Sequence, residues 1–219
     1  VNPDGYYEIN YYKDGKKHTF FIDDYIPVKY FPRSRSTKYL SAKPNGNELW
    51  VLLLEKAYCK YEGGYGNIIG GTMSSELQWL TGAMTTTVKT SDGKLWVSLM
   101  NAERNHFIMT ASSNMGSGNH NNSNLGIADG HAYSVLGVDS YESTNESIKL
   151  IKMRNPWGFG EWTGRYSDSD SKSWTPQLKE HFNYEKSGIL GDNGVFFISL
   201  EDFKNSFSKV IICNINLGN

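Results

Sequence analysis

The stretch that most constrains the fold of this chain runs from Gly130 to Gly158. Ala132-Tyr133-Ser134-Val135-Leu136-Gly137-Val138 reads as a strand with its buried positions at a period of two. After a polar interruption, Ser147 to Met153 repeats the pattern, with Ile148 and Leu150 on one face and Ile151 and Met153 on the other. Two such runs joined by a short polar loop predict adjacent antiparallel strands. The start of the first strand then lies beside the end of the second, so His131 and Asn155 meet.

That meeting has chemical content. Gly130 lets a backbone come close to His131. Asn155 precedes Pro156 and is held extended, which fixes where its amide points. The amide oxygen can accept from one imidazole nitrogen and set the tautomer. Trp157 can shield that hydrogen bond from water and strengthen it, or simply pack in a core. A histidine held by an asparagine is two thirds of a Cys-His-Asn nucleophilic apparatus. The third member must be a thiolate paired with the imidazolium, usually at a helix N-terminus. Neither cysteine meets that requirement. Cys59 falls near the C-terminal end of a predicted helix, where the dipole disfavours a thiolate. Cys213 shares a strand face with Ile211, Ile215 and Leu217 and reads as a small buried hydrophobe. No Gly-x-Ser-x-Gly elbow offers a serine instead.

Residues 1–25 predict a β-hairpin turning at Asp14-Gly15, and residues 26–46, punctuated by prolines, an irregular connector with one short strand. Asn45 to Tyr61 predicts a helix with Asn47 as its cap, ended by Gly63-Gly64. The glycine-rich segment closing at Gly70-Gly71 marks a lobe boundary, after which Ser74 or Ser75 caps a short helix. A strand over Thr85–Thr90, a helix from Leu95, and a strand from His106 to Thr110 follow. Residues 112–126, with His120, predict a surface loop. Beyond the two central strands come a helix from Pro176, a strand Val195–Ile198, a helix Leu200–Phe207 and a strand Val210–Leu217. Antiparallel strands with helices set aside make the second half α+β.

A net charge of -1 points to neither nucleic acid nor an anionic membrane. No apolar run is long enough to span a bilayer. Two cysteines make no disulfide framework and suit a reducing compartment, so the expected location is the cytoplasm. The tripeptides at Asn121 and Asn145 match glycosylation acceptors only by accident in such a setting. A start at Val1 suggests a piece of something longer.

Gly130-His131-Ala132-Tyr133-Ser134-Val135 and Arg154-Asn155-Pro156-Trp157-Gly158, followed by Glu161-Trp162-Thr163-Gly164, resemble the second protease lobe of the calpain family. The resemblance continues through Trp50, Leu53-Leu54-Glu55-Lys56-Ala57-Tyr58, Gly70-Gly71, Asp202-Phe203 and Ile212-Cys213-Asn214, and so covers nearly the whole chain. It implies an intracellular, calcium-regulated cysteine endopeptidase with a papain-like core. The fold expected is α+β: residues 1–70 as the rear part of the first lobe, and residues 71–219 as a second lobe built on an antiparallel sheet or barrel with flanking helices. By position, His131 resembles the catalytic histidine, Asn155 its orienting asparagine, and Trp157 the tryptophan beside the triad. Gly71 and Gly130 fall where the family clamps the substrate backbone. The family's Gly-Asp-Cys-Trp motif would lie upstream of this chain.

The same resemblance implies calcium ligands. Glu161 and Asp168 stand at carboxylate positions, and hard oxygens on separate loops suit calcium. Asn193 and Val195 occupy positions where the family supplies carboxylates, so the expected site is weakened. The run from Asp168 is no EF-hand, since its sixth position is Ser173 and its twelfth Lys179. The expected partners are peptide or protein substrates, the upstream segment with the thiol, and further domains of a parent chain. The alternative is a non-catalytic calpain-like module that docks or scaffolds in a larger assembly.

Overall fold

The computed structural model describes residues 2–44, 46–115, 122–144, 146–184 and 192–216. By its contacts the chain divides into two compact units, Val1–Gly82 and Ala83–Asn219.

The first unit opens with the expected hairpin, β1 (Tyr6–Lys13) and β2 (Lys16–Asp23). Asp14 and Gly15 both take positive φ, 51° and 72°, the two-residue turn whose twist matches paired strands. The next segment is more regular than its prolines suggested. β3 (Val28–Phe31) and β4 (Ser36–Tyr39) form a second hairpin, with Pro27 before it and Pro32 in its turn, where no ladder N–H is needed. Helix α1 (Trp50–Glu62) starts later than expected. Its N-cap is Leu49, with no side-chain cap bond, so Asn47 does not cap it. Gly63 ends α1 in the left-handed conformation, φ 85°, its amide donating to the Cys59 carbonyl. Helix α2 (Met73–Thr81) is capped by Thr72, whose hydroxyl accepts from the Ser75 amide; neither Ser74 nor Ser75 is the cap. Ile22, Leu53, Ala57 and Trp79 form the buried cluster of this unit, with Tyr11 stacked on Phe20 at 4.5 Å. Because Trp79 is buried in that cluster, α2 belongs by packing to the first unit, which runs past Gly70-Gly71 to Gly82.

The second unit is built on a six-stranded sheet in the order β5-β10-β6-β7-β8-β9. The strands are β5 (Thr85–Lys89), β6 (Phe107–Ser113), β7 (Ala132–Glu142), β8 (Ser147–Arg154), β9 (Val195–Ser199) and β10 (Phe207–Asn216). Every neighbouring pair is antiparallel. Each face carries its own core. On one, Leu95, Leu99 and Ala102 of α3 (Leu95–Arg104) and Phe203 of α5 (Leu200–Ser206) cover Met109, Tyr133, Ile151, Met153 and Phe196. On the other, Ile148, Leu150 and Phe197 meet Trp174 and Leu178, the latter on α4 (Pro176–His181). The alternation along β8 therefore sorts its residues between two cores, as a strand covered on both sides requires. Seven-residue α5 is too short to persist alone. Burial of Phe203, worth about 1.5–3 kcal/mol, helps hold it in place.

The segment expected as a loop over 112–126 is partly regular: Ser112 and Ser113 complete β6, and Asn122–Leu125 form a 3-10 turn. His120 and the two asparagines Asn121 and Asn145 lie outside the described residues.

Candidate active site

His131 stands just before β7 and Asn155 just after β8, and the register Ser134↔Arg154 puts those two points at one end of the strand pair. The His131 backbone is tied to β6. Its amide donates to Ser113 Oγ at 2.8 Å, and the Ser113 amide donates to the His131 carbonyl at 2.9 Å. Gly130 takes φ 58°, and a β-carbon there would lie 2.7 Å from Met115 Sδ. Tyr133 lies edge-on to the imidazole with ring centres 5.0 Å apart, and its hydroxyl accepts from the Ala128 amide at 2.9 Å.

Asn155 is buried, with 1 % of its surface exposed, and both ends of its side-chain amide are hydrogen-bonded. The backbone amide donates to the Gly194 carbonyl at 2.8 Å. Nδ2 donates to the Gly160 carbonyl at 3.1 Å, and Oδ1 accepts from the Trp157 amide at 3.1 Å. A carbonyl can only accept and an amide N–H only donate, so these two partners fix which end of the Asn155 side chain is oxygen. The same Oδ1 lies 3.0 Å from His131 Nε2. It follows that the neutral imidazole carries its proton on Nε2 and leaves Nδ1 with the free lone pair, the form a general base needs. The Trp157 indole lies against the imidazole, with ring centres 4.2 Å apart, and Phe159 stacks on the indole at 5.9 Å. Both outer aromatics remain more than half exposed.

The two loops that hold Asn155 also carry carboxylates. Glu161 Oε1 accepts from the Asn193 and Gly194 amides at 3.0 and 2.9 Å. Asp192 accepts from the Gly160 amide through Oδ2 at 2.6 Å and from the Gly194 amide through Oδ1 at 3.1 Å. Burial, a hydrogen bond to Asp192 and its charge push the Glu161 carboxyl up to about 7, with Asp168 adding a further raising charge. Burial and the Asp168 charge push the Tyr184 hydroxyl up to about 12. The sequence reading thus placed Glu161 and Asp168 in one acidic neighbourhood but missed Asp192, which carries no motif. Asn193 turns its Oδ1 back to the Val195 amide at 2.9 Å. Hard carboxylate oxygens gathered in one neighbourhood fit calcium in kind. In number they fall short: among the described residues no three His, Cys, Asp or Glu side chains converge to hold a metal.

Gly71 lies in the first unit, where a β-carbon would stand 1.9 Å from Glu76 Oε1. Neither cysteine is in a disulfide, and both are buried. Burial raises the Cys59 thiol, and the Glu55 charge raises it further, the opposite of what a nucleophile needs. Cys213 lies fully buried in β10.

A profile described as calpain family cysteine protease matches residues 2–214. The chain is 33% identical over 224 residues to the calpain-type cysteine protease ADL1 of Oryza sativa subsp. japonica, covering 98% of this chain and 10% of that protein. It is 32% identical to calpain-7 of Homo sapiens, over 96% of this chain and 26% of that one. It is also 32% identical to calpain-9 of Rattus norvegicus, over 96% and 30%. The α+β fold, with its six-stranded antiparallel sheet, is thus that of a cysteine protease core. The chain belongs to the calpain family. It spans less than a third of the length of the relatives it matches.

Proposed function

We propose that this chain carries the histidine and asparagine of a calpain-type cysteine endopeptidase whose nucleophilic thiol comes from outside residues 1–219. The observation that supports this most is the Asn155 amide locked in one orientation with Oδ1 3.0 Å from His131 Nε2. In this reading His131 Nδ1 takes the thiol proton, giving a thiolate–imidazolium pair. The thiolate attacks the peptide carbonyl, and the imidazolium returns its proton to the leaving amine. A water then hydrolyses the thioester with His131 again as base. Asn155 keeps the ring in register throughout, and Trp157 keeps water from their hydrogen bond. By the family resemblance Gly130 is assigned to clamping the substrate backbone, and Gly71 carries the same assignment. Two cysteines outside any disulfide are compatible with a reducing cytoplasm as the place of work.

A longer chain of the parent protein that includes an upstream cysteine should hydrolyse an unfolded protein substrate and react with a thiol-directed alkylating agent. His131→Ala should abolish the hydrolysis by a factor on the order of 10³ or more. Absence of both hydrolysis and labelling in that longer chain would refute the reading.

We further propose a weak calcium site on Glu161 and Asp168, with Asp192 beside them and Asn193 supplying no charge. Bound calcium would neutralise this acidic neighbourhood. Titration calorimetry with calcium chloride should give heat that Glu161→Gln removes. No heat, together with an unchanged melting temperature, eliminates calcium from the account.

A further inference from the structure

The geometry points to Asp192 as a positioning residue for the His131–Asn155 pair, one step removed from the chemistry. This rests on the function proposed above and adds a residue to it. Asn155 is held by two carbonyls: Gly160 receives its side-chain Nδ2 at 3.1 Å, and Gly194 receives its backbone amide at 2.8 Å. These glycines lie on different loops, one following β8 and the other preceding β9. A single carboxylate joins them. Asp192 Oδ2 accepts from the Gly160 amide at 2.6 Å, and its Oδ1 accepts from the Gly194 amide at 3.1 Å. The two glycines that grip Asn155 through their carbonyls are thus themselves gripped, through their amides, by the two oxygens of Asp192.

The chain of consequences is physical. Both glycines take left-handed φ, 78° and 80°, where the backbone is soft and needs outside restraint. A charge-assisted bond at each end supplies that restraint, and each is stronger than a neutral one. With Gly160 fixed, its carbonyl holds Nδ2, and the Asn155 amide cannot flip. With the amide unable to flip, Oδ1 faces His131 Nε2, and the imidazole stays in the tautomer whose Nδ1 is free. Glu161 cannot replace Asp192 here. It bonds the Asn193 and Gly194 amides and leaves the Gly160 amide to Asp192.

The test uses the 219-residue chain and needs neither thiol nor substrate, so its outcome is independent of whether the parent protein cleaves peptides. Nitrogen-15 NMR of the imidazole rings, at a pH high enough to keep them neutral, reads the tautomer directly. In the unsubstituted protein His131 should show one protonated and one lone-pair nitrogen well separated in shift, with the proton on Nε2. Asp192→Ala should bring the two shifts towards each other as both tautomers become populated. Asp192→Asn, which keeps one acceptor oxygen and the size, should give a smaller change in the same direction. The ring of His181, bonded to Asp139 in the same unit, should not move. Unchanged His131 shifts in a folded Asp192→Ala or Asp192→Asn protein would overturn the assignment. So would loss of folding in both variants, which would make Asp192 a stability residue and nothing more.

Discussion

At Glu161 a carboxyl group is held against its own ionisation, and the consequence is a pH dependence of definite sign. Burial is the largest cause, followed by the hydrogen bond with Asp192 and its charge, and together they raise the group from 4.5 to about 7. Below about 4.5 the group is protonated in folded and unfolded chains alike. Between about 4.5 and about 7 the folded chain keeps a proton that the unfolded chain has lost, so stability falls as pH rises through that window. Above it the loss is complete and levels off. Glu161→Gln cannot ionise, so its melting temperature relative to the unsubstituted protein should climb across the window. Thermal melts at several pH values check this, and parallel curves for the two proteins would refute it. If the proposed calcium site fills, saturating calcium should flatten the unsubstituted curve in the same way, because the ion would favour the ionised form. The sequence offered Glu161 together with Asp168, as carboxylates implied by the family resemblance. Nothing in it showed Asp192 as the partner, because the pair forms only when the loops after β8 and before β9 come together.

At the scale of elements, the loop between Asp192 and β9 is shaped by one glycine. A β-carbon on Gly194 would lie 2.7 Å from the Asn155 carbonyl oxygen and 3.1 Å from Gly158 Cα, both backbone atoms that cannot swing aside. Gly158 has a similar φ, 76°, but nothing within 4 Å of its added β-carbon. Gly158→Ala should therefore cost only the backbone penalty, about 1 kcal/mol. Gly194→Ala should cost more, in the range of about 2–4 kcal/mol, because the clash adds to the strain. Chemical denaturation of the two variants makes the comparison, and equal losses would show that the loop relaxes freely. Elements with strong local signals were legible beforehand. The Asp14-Gly15 hairpin, the period-two pattern of β7 and β8 and the Gly63 stop on α1 rest on interactions within a few residues. The β3–β4 hairpin was not legible, because its prolines sit where the ladder needs no donor. The α1 cap was misread for a related reason. An asparagine caps only when its backbone is at the boundary, and the boundary fell at Leu49.

For the whole molecule, the sequence determined the family and the class of fold. Alternation in β7 and β8 and the order of long motifs are properties of the string, and each survives any error in the placement of loops. It also determined that His131 and Asn155 lie at one end of a strand pair, since antiparallel pairing leaves no other arrangement. The tertiary structure decided the rest. It set which Asn155 atom faces the imidazole, through the Trp157 amide and the Gly160 carbonyl. It carried α2 into the first unit by burying Trp79. It gathered the acidic group at Glu161, and it left both thiols buried and unsuited to attack. Local patterns are written in residues a few positions apart. The orientation of an amide, or the pKa of a carboxyl, depends on groups that only the folded chain brings together.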